Sequence, residues 1–415
     1  MSRVRTALTK VLRAVVGFLL LLVGIAGFFA LPASFASYPV VPPKEGAPRW
    51  VRGAYHVHTT RSDGRGSPQE VARAAKEAGL DFVVLTDHND FKPPAPAWVD
   101  GVLLVPGVEI STSSGHLAAF GMERPLEGVR QWMPPGDAVK AVAAAGGTAV
   151  LAHPVQKRNP WTDDASAREA PGFELYSADT FFRQAVSNPV SRLLPAVGAY
   201  LGNPGHGVML LVTPEPEPAA RFMELSRAHP RIALCAHDAH GLPSYEAVFE
   251  SMAMYLPPEL VPAPLPKDAA EAAARVTKAL GSGRALCAFR ALGEPEGFAL
   301  SVVAPADEAM AGVAPDHRDT SADAVPDGTV PERREAKVGD VLEVRLPGNP
   351  EEGSVRVQVW GDGKLRPDGR SVELTGPGVV QVEVWARAPG RFFGTEWRPW
   401  IVPSPVRVVP RGPGI

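Results

Sequence analysis

Nine polar side chains of the sequence belong to types that bind divalent metal ions, and each is predicted to lie at or just past a strand end. Six are imidazoles, three are carboxylates, and none is a thiolate. Nine such ligands exceed what one four-coordinate zinc ion needs and suit two or three Zn, Mn or Fe ions. Divalent ions lower the pKa of bound water, so such a cluster favours hydrolysis without a side-chain nucleophile. The set comprises His56, His58, Asp63, His88, Glu109, His116, His153, Asp238 and His240.

The stretch GAYHVHTTRSDGRGSP, residues 53–68, holds the densest part of this set. On a β-strand, residues i and i+2 point to the same face, so His56 and His58 are expected to project together. Taken alone, the pair is equally typical of two surface histidines on a half-exposed strand. The sequence TTRSDG places Asp63 on a tight turn, from which its carboxylate can fold back toward the strand end.

The elements that must position these groups repeat one sequence pattern, in which an apolar run ends in polar residues and is followed by a helix. Ser67 and Glu70 form a predicted capping box around Pro68, and Gly79 ends the helix that follows. Continuous apolar strands alternating with helices predict a parallel sheet in an α/β barrel or a doubly wound fold. In both folds, ligand sites gather at the C-terminal ends of the strands. The runs that carry further candidates are DFVVLTDHND, GVLLVPGVEIS, GHLAAFG, GTAVLAHP and RIALCAHDAHG.

These placements predict that the nine groups converge at one end of the sheet. Six of the ten histidines have such positions, which scattered core histidines would not be expected to share. The other four are interpreted as ordinary histidines: His206, His229, His237 and His317.

The motifs HVH, SDG, TDHN, GVEI with GH, AHP and HDAH resemble, in order and spacing, those of the PHP family, named for its polymerase-associated and histidinol-phosphatase members. The resemblance covers about residues 51–290. It implies a distorted (β/α)7 barrel over residues 51–292 and a trinuclear phosphoesterase-type site. Glu109, Asp63 and Asp238 are the expected catalytic carboxylates. The implied ligand sets are His56, His58, Glu109 and Asp238 for one metal, Glu109, His116 and His153 for a second, and Asp63, His88 and His240 for a third.

Residues 1–50 are predicted to form a basic N-terminus, a membrane-insertion segment at about residues 14–31 and a Pro-rich linker. Four basic residues precede an uncharged stretch over residues 14–43. The 18 strongly apolar residues exceed the usual core of a cleavable signal peptide, which favours an uncleaved anchor. The basic flank predicts a catalytic domain outside the cytoplasm. Cleavage near Ala36, giving a secreted or periplasmic protein, is the alternative.

Residues 293–415 are predicted to form a linker and a small all-β, sandwich-like domain. The runs VLEVRLP, SVRVQVW and VVQVEVW alternate with period two between Gly-, Pro- and Asp-rich turns. The tryptophans at positions 360, 385, 397 and 400 are expected to pack rather than to form a ligand platform. Cys235 and Cys287 each lie in an apolar segment and are expected to be buried free thiols, with pairing open if the domain is outside the cytoplasm.

The leading functional hypothesis is a membrane-anchored, metal-dependent hydrolase that uses a metal-bridging hydroxide. Its expected substrate is a small phosphomonoester or a nucleotide or oligonucleotide 5'-phosphate. A net charge of −3 argues against nucleic-acid binding by bulk electrostatics, and no sequence-specific binding is expected. The membrane segment and β tail are similar to the carbaryl-hydrolase branch, which makes carbamate or amide hydrolysis one alternative. A non-catalytic, metal-containing envelope binding protein is the other.

Overall fold

The structure, a computed structural model, describes residues 2–36, 49–213, 215–227, 231–305, 335–391 and 394–412. The expectations for the Pro-rich linker, for most of the polar stretch before the β tail, and for His229 and His317 fall outside these residues. Short helical turns lie at Pro189–Leu193 and Arg290–Leu292. The helices are α1 (Ser2–Ser34), α2 (Pro68–Glu77), α3 (Pro135–Ala144), α4 (Asp164–Glu169), α5 (Ala178–Val186), α6 (Leu194–Gly202), α7 (Pro204–Leu211), α8 (Pro216–Ser226), α9 (Tyr245–Ser251) and α10 (Ala269–Gly281).

The strands fall into an α/β part up to residue 288 and an all-β part after it. The strands of the α/β part are β1 (Val51–Val57), β2 (Phe82–Leu85), β3 (Ala97–Val99), β4 (Val102–Thr112), β5 (Gly115–Phe120), β6 (Thr148–Ala152), β7 (Gly172–Ser177), β8 (Ile232–Ala236), β9 (Ala253–Leu256) and β10 (Leu286–Ala288). Those of the all-β part are β11 (Ala299–Val303), β12 (Glu335–Lys337), β13 (Val341–Arg345), β14 (Val355–Trp360), β15 (Gly363–Leu365), β16 (Ser371–Leu374), β17 (Gly378–Pro389), β18 (Thr395–Pro403) and β19 (Val406–Val409).

The first helix of the α/β part begins as the sequence predicts. The Ser67 hydroxyl accepts a hydrogen bond from the Glu70 backbone N–H at 3.3 Å, and the Glu70 carboxylate accepts one from the Ser67 N–H at 2.8 Å. This reciprocal pair satisfies two N–H groups that a helix start would otherwise leave free. Gly79, with a φ of 71°, follows the helix, so the predicted start and stop of α2 are confirmed.

The strands of the α/β part are not all parallel, which corrects the sequence-based expectation. β1, β2 and β4 run parallel, as do β6, β7 and β8, but β5 is antiparallel to both β4 and β6. Only two residues separate β4 from β5, and so short a connection permits a hairpin but no parallel crossover. As a result, the N-terminal end of β5 lies beside the C-terminal end of β4.

The sheet does not close into a ring, so the predicted (β/α)7 barrel is not confirmed. The open edge of β1 is occupied by the antiparallel strand β9, with Val51 opposite Leu256. The chain after β8 reaches β1 through one bridge, Val57 to Ala239, and the His237 N–H donates to the Tyr55 carbonyl at 2.9 Å. The observed architecture is a mixed α/β sheet, and the chain after β8 meets β1 where the polar residues gather.

The all-β part contains the three predicted strands, as β13, β14 and β17, and it has two sheets. A Cβ at Gly363 of one sheet would press on Val359 and Val380 of the other, so the two sheets pack face to face. However, β18 pairs with β10, which makes the second sheet continuous with the α/β sheet. The all-β part is therefore joined to the rest of the protein by strand pairing as well as by the chain.

Cys235 of β8 and Cys287 of β10 form a disulfide, with Cα atoms 5.8 Å apart. The expectation of free thiols is therefore wrong, and the alternative left open by the sequence is the observed one. The two cysteines are 52 residues apart in the sequence, and it is the packing of β10 near β8 that brings them together. Disulfides persist mainly in oxidising compartments.

A buried carboxylate lies at the contact between the two parts. Glu383 of β17 is inaccessible to solvent and accepts hydrogen bonds from Tyr176 of β7 at 3.1 Å and from the Trp385 indole at 2.8 Å. Burial raises the pKa of Glu383 to about 6, more than these hydrogen bonds lower it. Trp385 and Trp400 are both buried, which confirms a packing role for these two tryptophans.

Ionisation of Glu383 should therefore weaken the fold as the pH rises. Because its folded pKa of about 6 lies above the ordinary 4.5, the protonated form is favoured on folding, and this stability is lost as the pH rises through 6. Glu383→Gln should gain about 2 kcal/mol of unfolding free energy, relative to wild type, between pH 4.5 and pH 8. Denaturant unfolding at both pH values measures this gain. Glu343→Gln, at an exposed position of β13, is the control, and an equal response of both variants would contradict the prediction.

Candidate metal centre

The nine predicted ligands come together at one end of the α/β sheet. His56 lies in β1 and His58 just after it, while His88 follows β2 and His153 follows β6. Glu109 lies within β4, and His116 lies near the start of the reversed strand β5. Asp238 and His240 follow β8 and Asp63 lies on the turn after β1, so the structure places all nine near one another.

His56 and His58 face the same site, but not by simple strand alternation. His56 has a φ of 64°, and the pairing of β1 with β2 shifts register between Tyr55 and Val57. His153 and Asp238 also have positive φ values, of 32° and 45°. Such backbone conformations cost roughly 1–3 kcal/mol each for residues other than glycine and cluster at functional sites. The pairing of the surrounding strands holds these three ligands in strained positions.

The first group of ligand atoms is fully buried. The Nε2 atoms of His56 and His58 each lie 3.1 Å from Oε2 of Glu109. Oδ1 of Asp238 lies 3.5 Å from the first nitrogen and 3.3 Å from the second. These four residues form the set expected for the first metal.

The second group surrounds the other oxygen of Glu109. Oε1 lies 2.9 Å from Nδ1 of His116 and 3.1 Å from Nε2 of His153. The two oxygens of one carboxylate therefore face two different groups of imidazoles, as a bridging ligand requires. His88 also approaches, with Nδ1 3.2 Å from Oε2, so it lies between this group and the next.

The third group is looser and faces solvent. Oδ1 of Asp63 lies 3.4 Å from Nε2 of His240 and 3.7 Å from Nδ1 of His58, and Oδ2 lies 3.8 Å from Nε2 of His88. The Asp63 side chain is 58% exposed. A Cβ at Gly64 would collide with the His58 carbonyl, so a glycine at this position lets the turn fold back.

The donor set fits divalent cations. The Nε2 atoms of His56 and His58 lie 3.1 Å apart and face the same two carboxylates. Two nitrogen lone pairs at this distance repel each other unless a cation or a proton lies between them. Nδ1 of His153 is buried without a hydrogen-bond partner within the part of the chain described. Imidazole nitrogens and carboxylate oxygens without thiolates are ligands that suit Zn, Mn or Fe.

The electrostatics of the cluster also favour bound positive charge. Burial lowers the pKa of His58, but hydrogen bonds to Asp238 and Glu109 outweigh burial and raise it to about 9. At His88, burial dominates and lowers the pKa to about 4. His240, 3.4 Å away, holds the pKa of Asp63 well below its usual value. The carboxylates are thus charged near neutral pH.

Glu174 of β7 supports the site and was not among the sequence-predicted residues. Its Oε1 accepts from Nδ1 of His56 at 2.6 Å, and its Oε2 accepts from the His153 backbone N–H at 2.7 Å. The first bond places the proton of His56 on Nδ1 and leaves Nε2 free to act as a ligand. The available sequence signal was a single acidic residue inside the buried run FELYS.

Asp87 holds the loop that carries Asp63. Its carboxylate accepts from the Thr59 N–H at 2.7 Å, from the Thr59 hydroxyl at 2.8 Å and from the Ser62 hydroxyl at 2.8 Å.

His237 agrees with its interpretation as an ordinary histidine, because it accepts from the Tyr55 N–H and donates to the Met252 carbonyl.

Glu174→Gln is expected to lower metal affinity without unfolding the protein. A glutamine offers one acceptor oxygen, so either His56 or the His153 N–H must face an NH₂ group. Loss of such an orienting partner typically lowers metal affinity about 10–100-fold. We therefore expect metal affinity to fall at least about 10-fold in this variant. Competition with a chelator, followed by elemental analysis, measures this loss. Glu77→Gln, at an exposed position of α2, should bind like wild type, and equal affinities of the two variants would rule out this role for Glu174.

A sequence profile of the PHP domain matches residues 54–202, about a third of the chain. This range includes seven of the nine candidate ligands, while Asp238 and His240 lie beyond it. An uncharacterised protein of Methanocaldococcus jannaschii is 25% identical over 114 residues, which cover 24% of this chain and 65% of the relative. The match thus spans slightly less than two thirds of that relative. The profile match supports the PHP family for this part of the chain.

Three solved structures show limited similarity. A two-domain protein of Bacteroides vulgatus containing a predicted PHP-like metal-dependent phosphoesterase is 14% identical over 88% of this chain and 98% of its own, with a TM-score of 0.37. A proposed metal-dependent phosphoesterase of Bifidobacterium adolescentis is 17% identical over 47% and 89%, with a TM-score of 0.31. An amidohydrolase of Chromobacterium violaceum is 16% identical over 45% and 87%, with a TM-score of 0.29. These values are too low to transfer an activity to this chain.

Proposed function

We propose that this protein is a metal-dependent phosphoesterase acting on phosphomonoesters, including nucleotide 5'-phosphates. The observation that carries the proposal is the position of Glu109, whose two oxygens face two groups of imidazoles. The profile match over residues 54–202 supports a metal-dependent hydrolase of the PHP type in general terms. Two to three divalent ions, held by the nine candidate ligands, are part of this proposal.

The residues of the chain would fix the ions and the substrate rather than react covalently. His56, His58 and Asp238 would hold an ion on one side of Glu109, and His116 and His153 one on the other. When bound, such ions activate water for attack and neutralise the charge of the attacked group and the leaving group. Glu174 would keep His56 in the required tautomer.

The third group is the part of the site that suits a phosphoryl substrate. Asp63, His88 and His240 lie at the exposed side of the cluster, where a substrate can approach. A phosphoryl group carries several anionic oxygens, so an additional cation at this point would stabilise charge that a carbamate or amide lacks. Asp63 is therefore proposed to hold the ion that clamps the phosphoryl group.

A carbamate or amide hydrolase is the second candidate, and one observation favours it. The distances within the third group are 3.4–3.8 Å, whereas those from Glu109 to the imidazoles around it are 2.9–3.2 Å. A looser third group is compatible with two resident ions, which suffice where a single oxyanion develops.

We also propose that α1 anchors the protein in a membrane with the site outside the cytoplasm. Of the helices described, only α1 contains a segment, Lys10–Ser34, that is long and apolar enough to cross a bilayer, a property it shares with signal sequences. The Cys235–Cys287 disulfide supports an oxidising compartment. Cleavage near Ala36, with release of the domain, is the alternative, and the size of the membrane-bound species distinguishes the two.

Asp63→Ala should abolish the hydrolysis of phosphomonoesters while the ions around Glu109 remain bound. The expected fall in kcat/KM for p-nitrophenyl phosphate and 5'-nucleotides is about a hundredfold or more, the scale of losing a charge-stabilising group. A panel of phosphomonoesters, phosphodiesters, aryl carbamates and amides measures it on both proteins. Asp362→Ala, which removes an exposed carboxylate from the β tail, is the control.

Two results of this panel would change the assignment. If wild type cleaves only carbamates or amides and Asp63→Ala barely changes the rate, the second candidate replaces the first. If the protein binds ions at the cluster and hydrolyses no member of any class, the non-catalytic binding protein replaces both.

A further inference from the structure

An exposed apolar stripe runs from the end of α5 along α6. The side chains of this stripe are 41–76% exposed although all are valine or leucine. From Val190 to Leu201 the chain is continuously helical, so a spacing of three or four residues places Val190, Leu194, Val197 and Leu201 on one face. Val186 ends α5, before the break at Asn188. A contiguous exposed patch of this kind marks an interaction surface. The stripe consists of Val186, Val190, Leu194, Val197 and Leu201.

The chain along α6 and α7, within residues 193–213, carries no Asp, Glu, Lys or Arg, although Arg192, paired with Glu215, lies between Val190 and Leu194. The opposite face of α6 is buried through Pro195, Ala196 and Ala199. This helix is therefore apolar on both faces, although one of them is exposed in the structure.

The helix α6 packs against the last turns of α1. A Cβ at Gly198 would press on the Phe29 side chain, and one at Gly202 would collide with the Ala30 carbonyl. The Ser34 hydroxyl lies 3.5 Å from the Gly202 carbonyl and donates to it. Small residues at these two positions allow close approach of the helices, as is common between helices in membranes.

The position of this contact along α1 indicates what covers the stripe. At 1.5 Å per residue, the apolar segment Lys10–Ser34 is long enough to cross the hydrocarbon core of a bilayer. Phe29, Ala30 and Ser34 are near its C-terminal end. If α1 crosses the membrane, the helix packed against these residues lies at the bilayer boundary, where an apolar face is favourable.

We propose that α6 and its apolar stripe are embedded in the outer boundary of the lipid bilayer that holds α1. The proposal rests on the proposed membrane placement of α1 and is independent of the reaction catalysed. The domain would then be held at the bilayer by two helices, α1 spanning it and α6 lying in its outer boundary.

This arrangement puts the bilayer beside the metal centre. The Tyr200 hydroxyl of α6 donates to the Ser244 hydroxyl at 3.0 Å and accepts from the Ser244 N–H at 3.3 Å. Ser244 ends the short loop that begins at His240, and Leu242 within this loop is 56% exposed. The helix α6, which is proposed to lie in the membrane boundary, and the loop carrying His240 are therefore connected by direct hydrogen bonds.

Depth-dependent fluorescence quenching on the full-length protein tests the proposal. The structure contains no free cysteine in the ranges described, so a single introduced cysteine can carry an NBD label under non-reducing conditions. The positions are Val197→Cys in the stripe, Leu20→Cys in α1 and Lys140→Cys on the exposed face of α3. The labelled proteins are reconstituted in phosphatidylcholine–phosphatidylglycerol vesicles, with doxyl-lipids as the membrane quencher and dithionite as the aqueous quencher.

The expected result is doxyl quenching and protection from dithionite at residues 197 and 20, and neither at residue 140. Val190→Cys should behave like Val197→Cys, which guards against a fold defect in one variant. A label at residue 197 that responds like the one at residue 140, while residue 20 is quenched by lipid, would overturn the proposal. Protection from dithionite without doxyl quenching would also overturn it, because another protein surface would then cover the stripe.

Loss of doxyl quenching at residue 20 would remove the membrane placement of α1 and this proposal with it. That outcome leaves the phosphoesterase proposal standing, because turnover of soluble phosphomonoesters is measured separately.

Discussion

The burial of Glu109 is the constraint on which the site depends. An ionised carboxylate with no exposure to solvent is costly unless it is paired, and this one lies within the central strand β4. Five imidazoles approach its two oxygens from the ends of β1, β2, β5 and β6. Burial raises the pKa of Glu109, but His56 and the other imidazoles outweigh burial and hold it well below its usual value. The strands therefore bring compensating groups to one point.

The need to compensate the buried charge of Glu109 also accounts for the irregular parts of the fold around the site. The reversal of β5 places His116 beside Glu109, and the register shift in β1 turns His56 toward the same carboxylate. Positive φ values at three ligands show that the backbone is locally unfavourable where the side chains converge. Glu174 and Asp87, which touch ligands or the loops that carry them, then fix their orientation.

The sequence predicted features encoded locally and missed those that depend on distant pairing. The capping box at Ser67, the strands of the β tail and the convergence of nine candidate ligands all follow from short-range patterns. The pairing of β9 with the edge of β1 and the Cys235–Cys287 disulfide both depend on segments brought together by the fold. The antiparallel β5 is different, because it follows from the two-residue connection to β4, a local signal that the prediction of a parallel sheet overlooked. Glu174 was missed because one acidic residue in an apolar strand does not show what it faces.

The most direct test of the central claim, that Glu109 bridges two ions, is anomalous X-ray diffraction at the absorption edge of the resident metal. The account predicts two strong peaks on opposite sides of this carboxylate, each about 2.0–2.2 Å from one of its oxygens. The first should be surrounded by His56, His58 and Asp238, and the second by His116 and His153. A single peak, or ions bound away from Glu109, would contradict the account.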